Sequence, residues 1–119
     1  MENFEAYQDT AVTTQRKGSL IVMLYDGAVK FLKLAIEEIE KKNHEAKGQY
    51  IIKAKDIINE LNIVLDMEAG GEIAVNLRRL YMFMNQQLSE ANIKQDPQKI
   101  REVITLLEEL NQSWKAIAN

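Results

Sequence analysis

The sequence predicts an all-α fold, an antiparallel up-down four-helix bundle with a short N-terminal docking or capping segment. Apolar residues recur at three- and four-residue steps in four stretches of about 20 residues, which is the spacing of one helix face. Short connections separate these stretches, and no alternating apolar and polar run indicates a strand. We therefore predict a single domain over residues 1–119, with the N-terminal segment at 1–16 and the four-helix bundle at 17–118.

The first helix contains the longest apolar stretch and is predicted to begin near 17–19 and to end around 41–43. Gly27 lies inside it, at a cost of about 1 kcal/mol relative to alanine. Either this cost is tolerated, or the glycine marks the close approach of another backbone. The predicted core face consists of Leu24, Tyr25, Ala28, Phe31, Leu32, Ala35 and Ile39.

The second helix is predicted at about His44–Leu65, and the paired glycines Gly70–Gly71 separate it from a third helix at about Glu72–Asn92. Asp96–Pro97 opens the fourth helix, because aspartate is a capping residue and proline suits the first helical position. The predicted core residues are Tyr50, Ala54, Ile57, Ile58, Leu61, Val64 and Leu65, then Ile73, Leu77, Leu80, Tyr81, Phe83, Met84, Leu88 and Ala91, and finally Ile100, Val103, Ile104, Leu106, Leu107, Leu110, Trp114 and Ile117.

Three helices also carry apolar residues outside the face that a four-helix core uses. A solvated helix would have polar residues there, so we predict that these residues line a groove covered by a partner. For each of them the alternative is a core position, or a position covered by residues 1–16. The seven candidates, which follow from helix geometry, are Val22, Val29, Ile36, Ile52, Ile63, Val75 and Met82.

Composition excludes several classes of function. The chain has 15 basic and 18 acidic residues, and its basic doublets are scattered, so we expect no nucleic-acid partner. With no cysteine and one histidine, a zinc site or a di-iron site of Glu-x-x-His pairs has too few ligands. We find no catalytic constellation and expect no metal, no cofactor and no enzymatic activity.

No apolar run approaches the about 20 residues of a membrane span, and no signal sequence is evident, so we expect a cytoplasmic protein without membrane insertion.

One short motif supports a different function. His44, Lys47 and Gly48 match the H-x-x-K-G pattern of histidine phosphotransfer domains, which are also four-helix bundles. In those domains the histidine lies within a long helix, whereas His44 is predicted at a helix start. Phosphotransfer through His44 is therefore the alternative function. A further alternative is that the additional apolar rows form a weak homodimer face.

The block Met23–Ala28, MLYDGA, resembles the flagellar export chaperones of the FliS family. The block Gly70–Ala74, GGEIA, follows at the spacing found in that family, and the likeness extends over nearly the whole chain. The family usually has Ser-Pro where this chain has Arg16–Lys17, so the start of the first long helix departs from the family pattern. Further matching segments, in order, are Ala6–Tyr7, Lys53–Ala54, Ile57–Ile58, Glu60–Leu61, Leu65–Asp66, Asn76–Leu77, Glu90–Lys94 and Trp114–Lys115.

This resemblance implies a binding protein without catalysis that holds the C-terminal segment of newly made flagellin in the bacterial cytosol. It implies that the client is kept from polymerising and is brought to the export gate. The seven groove candidates fit this role, because an amphipathic client can lay regularly spaced apolar anchors into a groove. By the same resemblance, Phe4 and Tyr7 match the positions that relatives use to dock on the export-gate protein FlhA, and the N-terminal segment can lie over part of the client groove.

Overall fold

The computed structural model describes the backbone of residues 2–118 and the side chains of residues 18–117. No strand occurs within residues 2–118, and the all-α prediction is confirmed. Short connections at 41–43, 64–66 and 95–96 join the helices. These helices are α1 (Glu2–Glu40), α2 (His44–Ile63), α3 (Met67–Lys94) and α4 (Pro97–Ala118).

The four helices pack in a ring, each beside its neighbours in sequence, and α4 closes the ring against α1. Hydrogen bonds between α2 and α3 show the direction of packing. Lys55 Nζ donates to Ser89 Oγ, and one turn further along α2, Asn59 Oδ1 accepts from Asn85 Nδ2. Residue numbers rise along α2 as they fall along α3, so the two helices are antiparallel. This arrangement confirms the predicted up-down bundle.

Side-chain caps fix the starts of α2, α3 and α4. Asn43 and Asp66 each accept a hydrogen bond from the backbone N–H three residues later, at 3.3 and 3.0 Å. Asp96 accepts from the N–H two residues later, at 3.0 Å, and Pro97 follows as the first helical residue, as predicted. Each cap satisfies a backbone donor that has no partner within its helix, which is typically worth about 1 kcal/mol.

The start of α1 differs from the prediction, because the helix begins at Glu2 and not near 17–19. Residues 2–17 contain no proline and no glycine, so no residue type that breaks a helix interrupts the chain there. Arg16–Lys17 occupies the position where the resemblance leads one to expect Ser-Pro. Because this chain lacks that proline, α1 continues through the expected boundary.

The glycine pair kinks α3, whereas we predicted that it would precede the helix. Gly71 has φ 53° and ψ −126°, a backbone conformation that residues with a Cβ rarely adopt. A Cβ added to Gly70 would lie 2.6 Å from the Cβ of Ala74, closer than two such atoms can approach. One glycine therefore supplies the backbone conformation and the other supplies the space. As a result, α3 begins at Met67 and changes direction after its first turn.

Most predicted core residues are buried or half-buried, but four are exposed. Val64 follows the end of α2, Ile73 lies just after the glycine kink, and Ile117 lies in the last turn of α4. Phe83 lies at the edge of the buried face of α3. In the other direction, Ile51 is fully buried although it was not among the predicted core residues. Periodicity identifies the centre of each buried face, but the kink and the helix ends change which edge positions are covered.

Gly27 gives a test of how closely α1 and α2 approach. A Cβ at this position would lie 3.3 Å from Cδ1 of Ile57, so the close neighbour is a side chain and not a backbone. We expect Gly27→Ala to change the free energy of unfolding by less than about 1 kcal/mol, because improved helix propensity offsets a small displacement of Ile57. Gly27→Leu should destabilise by about 1–3 kcal/mol through overpacking. Urea unfolding followed by circular dichroism measures both, and equal stabilities would contradict the close approach.

Candidate functional site

Four of the seven predicted groove residues are exposed on the outer side of α2 and α3. Large apolar side chains that are exposed close together indicate an interaction surface, whereas single exposed ones are ordinary. These residues come from two adjacent helices, and the hydrogen bonds between α2 and α3 show how they are placed relative to one another. We call this surface the α2–α3 face; its predicted members are Ile52, Ile63, Val75 and Met82.

The hydrogen bond between Asn59 and Asn85 sets the register of one half of the α2–α3 face. Ile63 lies about one turn after Asn59, and Met82 lies about one turn before Asn85. Since the helices are antiparallel, Ile63 and Met82 stand at the same level of the bundle, one on each side of the seam. The structure therefore brings these two predicted residues together.

The other half of the face contains a residue that we did not predict. The bond between Lys55 and Ser89 places Ile52, one turn before the lysine, level with Ile93, one turn after the serine. Ile93 is 82% exposed, the largest value among the exposed large apolar residues. Its position is eleven residues beyond Met82, which is the same interval that relates Ile52 to Ile63, so helical spacing could have identified it.

The seam beneath these apolar residues is polar. Asn85 Nδ2 donates to Asn59 Oδ1 at 2.6 Å, and Ser89 Oγ also donates to the Asn85 carbonyl at 3.1 Å. The bond from Ser89 lies within α3, whereas the bonds from Asn85 and Lys55 tie α3 to α2 along the outer seam. A partner on this face would therefore meet apolar side chains on both sides of a hydrogen-bonded centre.

The remaining three candidates, Val22, Val29 and Ile36, lie on α1 and are half-buried. Val29 and Ile36 pack against the core, and Val29 borders a polar groove of about 260 Å³ between α1 and α4. These residues repeat every seven positions, so they share the side of α1 that is turned toward α4. The structure thus separates the predicted set into two surfaces, with less apolar area available on α1.

Asp26 holds α1 to α4 in this groove. Its carboxylate accepts a hydrogen bond from Asn111 Nδ2 at 2.8 Å, and Lys115 Nζ lies 3.5 Å from the same oxygen. Asn111 is buried, whereas the lysine and the carboxylate are about half exposed, so the ion pair itself contributes little. The aspartate of the MLYDGA block is therefore a structural contact between helices.

An apolar cavity of about 390 Å³ opens at the end of the bundle, where α2 ends and α3 begins. None of the seven predicted residues lines it. Small residues at the kinked start of α3, Ala69, Gly70 and Ala74, leave this space unfilled. We call it the end cavity; its other lining residues are Ile21, Leu61, Val64, Leu65, Asp66, Ile73, Leu77, Tyr81 and Trp114.

Two tyrosine hydroxyls meet beside the end cavity. The Tyr25 and Tyr81 oxygens are 2.6 Å apart, so one hydroxyl donates to the other. Burial raises the pKa of both tyrosines above the usual range, and both therefore stay protonated at neutral pH. The ring of Trp114 lies against Tyr25, with centroids 6.5 Å apart. An aromatic cluster from α1, α3 and α4 thus supports this end of the core.

The geometry does not support the phosphotransfer alternative. His44 is exposed at the first position of α2, as the sequence suggested. Lys47, the second residue of the motif, is buried, and its Nζ donates to the Asn92 carbonyl at 2.9 Å, near the C-terminus of α3. The lysine is thus used in contact between helices, where it also interacts favourably with the negative end of the α3 dipole.

The predicted docking residues Phe4 and Tyr7 lie outside the side chains that the structure describes. In the described residues, no helix is both long enough and apolar enough to cross a bilayer. Within the same part of the chain, no three His, Asp or Glu side chains cluster in a way that would hold a metal ion.

Comparison with known proteins gives a consistent result. The family model described as flagellar protein FliS matches residues 1–119. The flagellar secretion chaperone FliS of Salmonella typhimurium is 42% identical over 111 residues, which cover 92% of this chain and 82% of that protein. The protein of the same description from Bacillus subtilis is 37% identical over 112 residues, covering 94% and 83%. That from Vibrio cholerae is 36% identical over 119 residues, covering 97% and 88%.

The paired tyrosine hydroxyls lead to a prediction about stability. We expect Tyr81→Phe to lower the free energy of unfolding by about 1–3 kcal/mol, because it leaves the buried Tyr25 hydroxyl without its partner. Replacing both tyrosines with phenylalanine should cost less than the sum of the single replacements, by about 1 kcal/mol, since no hydroxyl is then left unpaired. Urea unfolding of the three variants measures this coupling. Strictly additive losses would show that the two hydroxyls do not interact.

Proposed function

Because the chain belongs to the FliS family of flagellar secretion chaperones, we propose that it binds the C-terminal segment of newly made flagellin. In this proposal, binding takes place in the bacterial cytosol and keeps the segment from polymerising before export. The loaded chaperone then brings its client to FlhA at the export gate. The protein is a chaperone and not an enzyme, so its function rests on surfaces that bind and release.

The observation that best supports this proposal is the exposed α2–α3 face. Ile52 and Ile63 lie eleven residues apart on α2, which corresponds to about 16 Å along the helix. This distance is about three helical turns, and an amphipathic client helix presents apolar anchors over such a length at positions i, i+3, i+4, i+7 and i+11. The apolar residues of α3 supply the opposite side of the same seam.

The energetics favour a client that also contacts other surfaces. Ordering each residue of a disordered segment costs about 1–2 kcal/mol, so a 12-residue helix costs about 12–24 kcal/mol. Burying a large apolar side chain contributes about 1.5–3 kcal/mol. Four such side chains on the α2–α3 face and four on the client contribute about 12–24 kcal/mol, which only balances the cost. Stable binding therefore requires more contact area, and Val29 of the α1 row borders one further groove.

Charge substitutions on the α2–α3 face test the client site. We expect Ile63→Glu combined with Met82→Glu to weaken flagellin binding by about 100-fold, or about 2.8 kcal/mol, because two charges would be buried under an apolar client. Helicity should not change, since both side chains are exposed. Met23→Glu is the matched control: Met23 is 68% exposed and Met82 63%, but Met23 lies on α1, away from this face.

Binding is measured by size-exclusion chromatography with light scattering, using full-length flagellin and flagellin without its C-terminal segment. The unmodified protein should form a complex only with the full-length client. Equal losses from the control and the test variant would place the site elsewhere. A complex with the truncated flagellin would contradict the proposed client segment, and a mass that rises with concentration but not with flagellin would instead favour a homodimer.

The proposed docking on FlhA is tested separately at the N-terminus. We expect Phe4→Ala combined with Tyr7→Ala to prevent the loaded chaperone from binding FlhA, because it removes both apolar contacts of the proposed docking segment. Flagellin binding should change by less than about threefold. A pull-down of the chaperone–flagellin complex on immobilised FlhA makes the measurement, and Gln8→Ala is the control. Loss of flagellin binding together with docking would show that the two sites are not separate.

A further inference from the structure

The centre of the α2–α3 face has the same pattern of residues on both helices. Each helix contributes two exposed apolar residues at positions i and i+11, and two polar residues at i+3 and i+7. Across the seam, the residue at i+3 of each helix donates a hydrogen bond to the residue at i+7 of the other. These residues are Ile52, Lys55, Asn59 and Ile63 on α2, and Met82, Asn85, Ser89 and Ile93 on α3. The face therefore has four apolar corners, two at each end, around a polar centre, and the two ends are about 16 Å apart.

We propose that this polar centre selects a client helix that carries a hydrogen-bond acceptor between two apolar anchors. The acceptor would be a side-chain carbonyl or carboxylate oxygen, as in glutamine or glutamate. Anchors eleven residues apart on the client would contact the corners at the two ends, and residues four or seven positions after the first anchor would lie over the centre. This inference rests on the proposed function and names the pattern that the client must present.

The polar centre offers hydrogen-bond donors, whereas its acceptors are already used. Asn59 Oδ1 accepts from Asn85 Nδ2 at 2.6 Å, and Ser89 Oγ accepts from Lys55 Nζ. Asn85 Oδ1 is buried and so offers no acceptor at the surface. Asn59 is exposed, and its Nδ2 group carries two hydrogens, while the lysine ammonium carries three and uses one for the serine. An oxygen placed over the centre can therefore accept from either side chain.

A client helix on the apolar corners would remove these donors from water. A buried donor without a partner is costly, and the burial of the corners only balances the cost of ordering the client. An apolar client residue over the centre would thus leave Asn59 unpaired, and a basic one would face the Lys55 ammonium. An acceptor satisfies the donors, so the centre discriminates among client sequences that have the same apolar anchors.

The side-chain amide of Asn59 gives a direct readout by NMR spectroscopy. In the isotope-labelled full chain, its two Nδ2 protons are assigned by their absence from the spectrum of Asn59→Asp. We expect these protons to shift, and to exchange with water more slowly, when an unlabelled peptide spanning the flagellin C-terminal segment is bound, because a client oxygen replaces solvent as their acceptor. The methyl groups of Ile52 and Ile63 report contact with the corners. Methyl shifts at these isoleucines with no change at Asn59 would overturn the acceptor.

A variant with an apolar centre gives effects of opposite sign for the two kinds of client. Asn59→Leu combined with Asn85→Leu replaces both partners of one hydrogen bond, so neither amide is left unpaired. We expect flagellin affinity to fall by about 10-fold, or about 1.4 kcal/mol, although the face becomes more apolar. A client with an apolar residue at the centre would instead bind this variant more tightly, and that result would contradict the proposal. Circular dichroism and urea unfolding verify that the variant is folded.

Asn59→Asp makes a smaller change, because it keeps the oxygen that accepts from Asn85 and removes both donor hydrogens. We expect it to lower flagellin affinity by about 10- to 100-fold, since a carboxylate would face the client's oxygen. Asn76→Asp is the matched control. Asn76 is also exposed, but it lies eleven residues before Gln87, whose side chain accepts from Lys99 of α4, so it is on the α4 side of α3. Equal losses in both variants would show an effect of charge alone and would count against the acceptor.

The outcomes separate this inference from the proposed function. If Ile63→Glu with Met82→Glu does not bind flagellin, while the apolar-centre variant binds as tightly as the unmodified protein, the acceptor is overturned and the α2–α3 face stands as the client site. If the unmodified protein binds neither the peptide nor full-length flagellin, both proposals fail. Loss of affinity in both Asn59 variants, with the control unaffected, supports the acceptor. Affinity that falls as salt is added then identifies a carboxylate paired with Lys55, and affinity insensitive to salt identifies a carbonyl.

Discussion

Three consecutive residues of α1, Tyr25–Gly27, connect this helix to each of the other three. The tyrosine hydroxyl meets a tyrosine of α3 across the core, the aspartate accepts a hydrogen bond from an asparagine of α4, and the glycine lies against an isoleucine of α2. Successive residues of a helix point about 100° apart, so three consecutive residues can contact three neighbouring helices at one level of the bundle. This level fixes the position of α1 in the bundle, and the other helices are arranged around it.

The exposed α2–α3 face depends on how α2 and α3 are held together. Their outer seam is tied by hydrogen bonds, such as the one between Asn59 and Asn85, and not by apolar packing alone. These polar contacts already join the two helices. The isoleucine and methionine side chains beside the seam are therefore not needed to join α2 to α3, and they remain exposed. The glycine kink at the start of α3 has a comparable effect, since it leaves an apolar cavity open where a straight helix would have packed more closely.

The sequence predicted the bundle well because its main signal, helical periodicity, is a local property. The centre of each buried face follows from it, and the start of α4 follows from another local signal, the capping pair Asp96–Pro97. Periodicity cannot show that Gly71 turns the chain while α3 continues, so it predicts a core position for Ile73, which is exposed. It also does not show that α2 ends at Ile63, so it predicts a core position for Val64, which is exposed just beyond that end. It also does not show which neighbour covers an edge position, so the α1 candidates, such as Val29, could not be separated from those on α2 and α3.

A chaperone for export must bind strongly enough to protect its client and weakly enough to release it. Exposed apolar residues in separate patches serve both needs. On the proposed function, burial of the α2–α3 face alone only balances the entropy of ordering the client segment, so the client must occupy further surface to be held. Conversely, each patch that is uncovered weakens the complex by a large factor, because every 1.4 kcal/mol changes affinity tenfold. For a client held in this way, we expect release to proceed segment by segment as the client is drawn away.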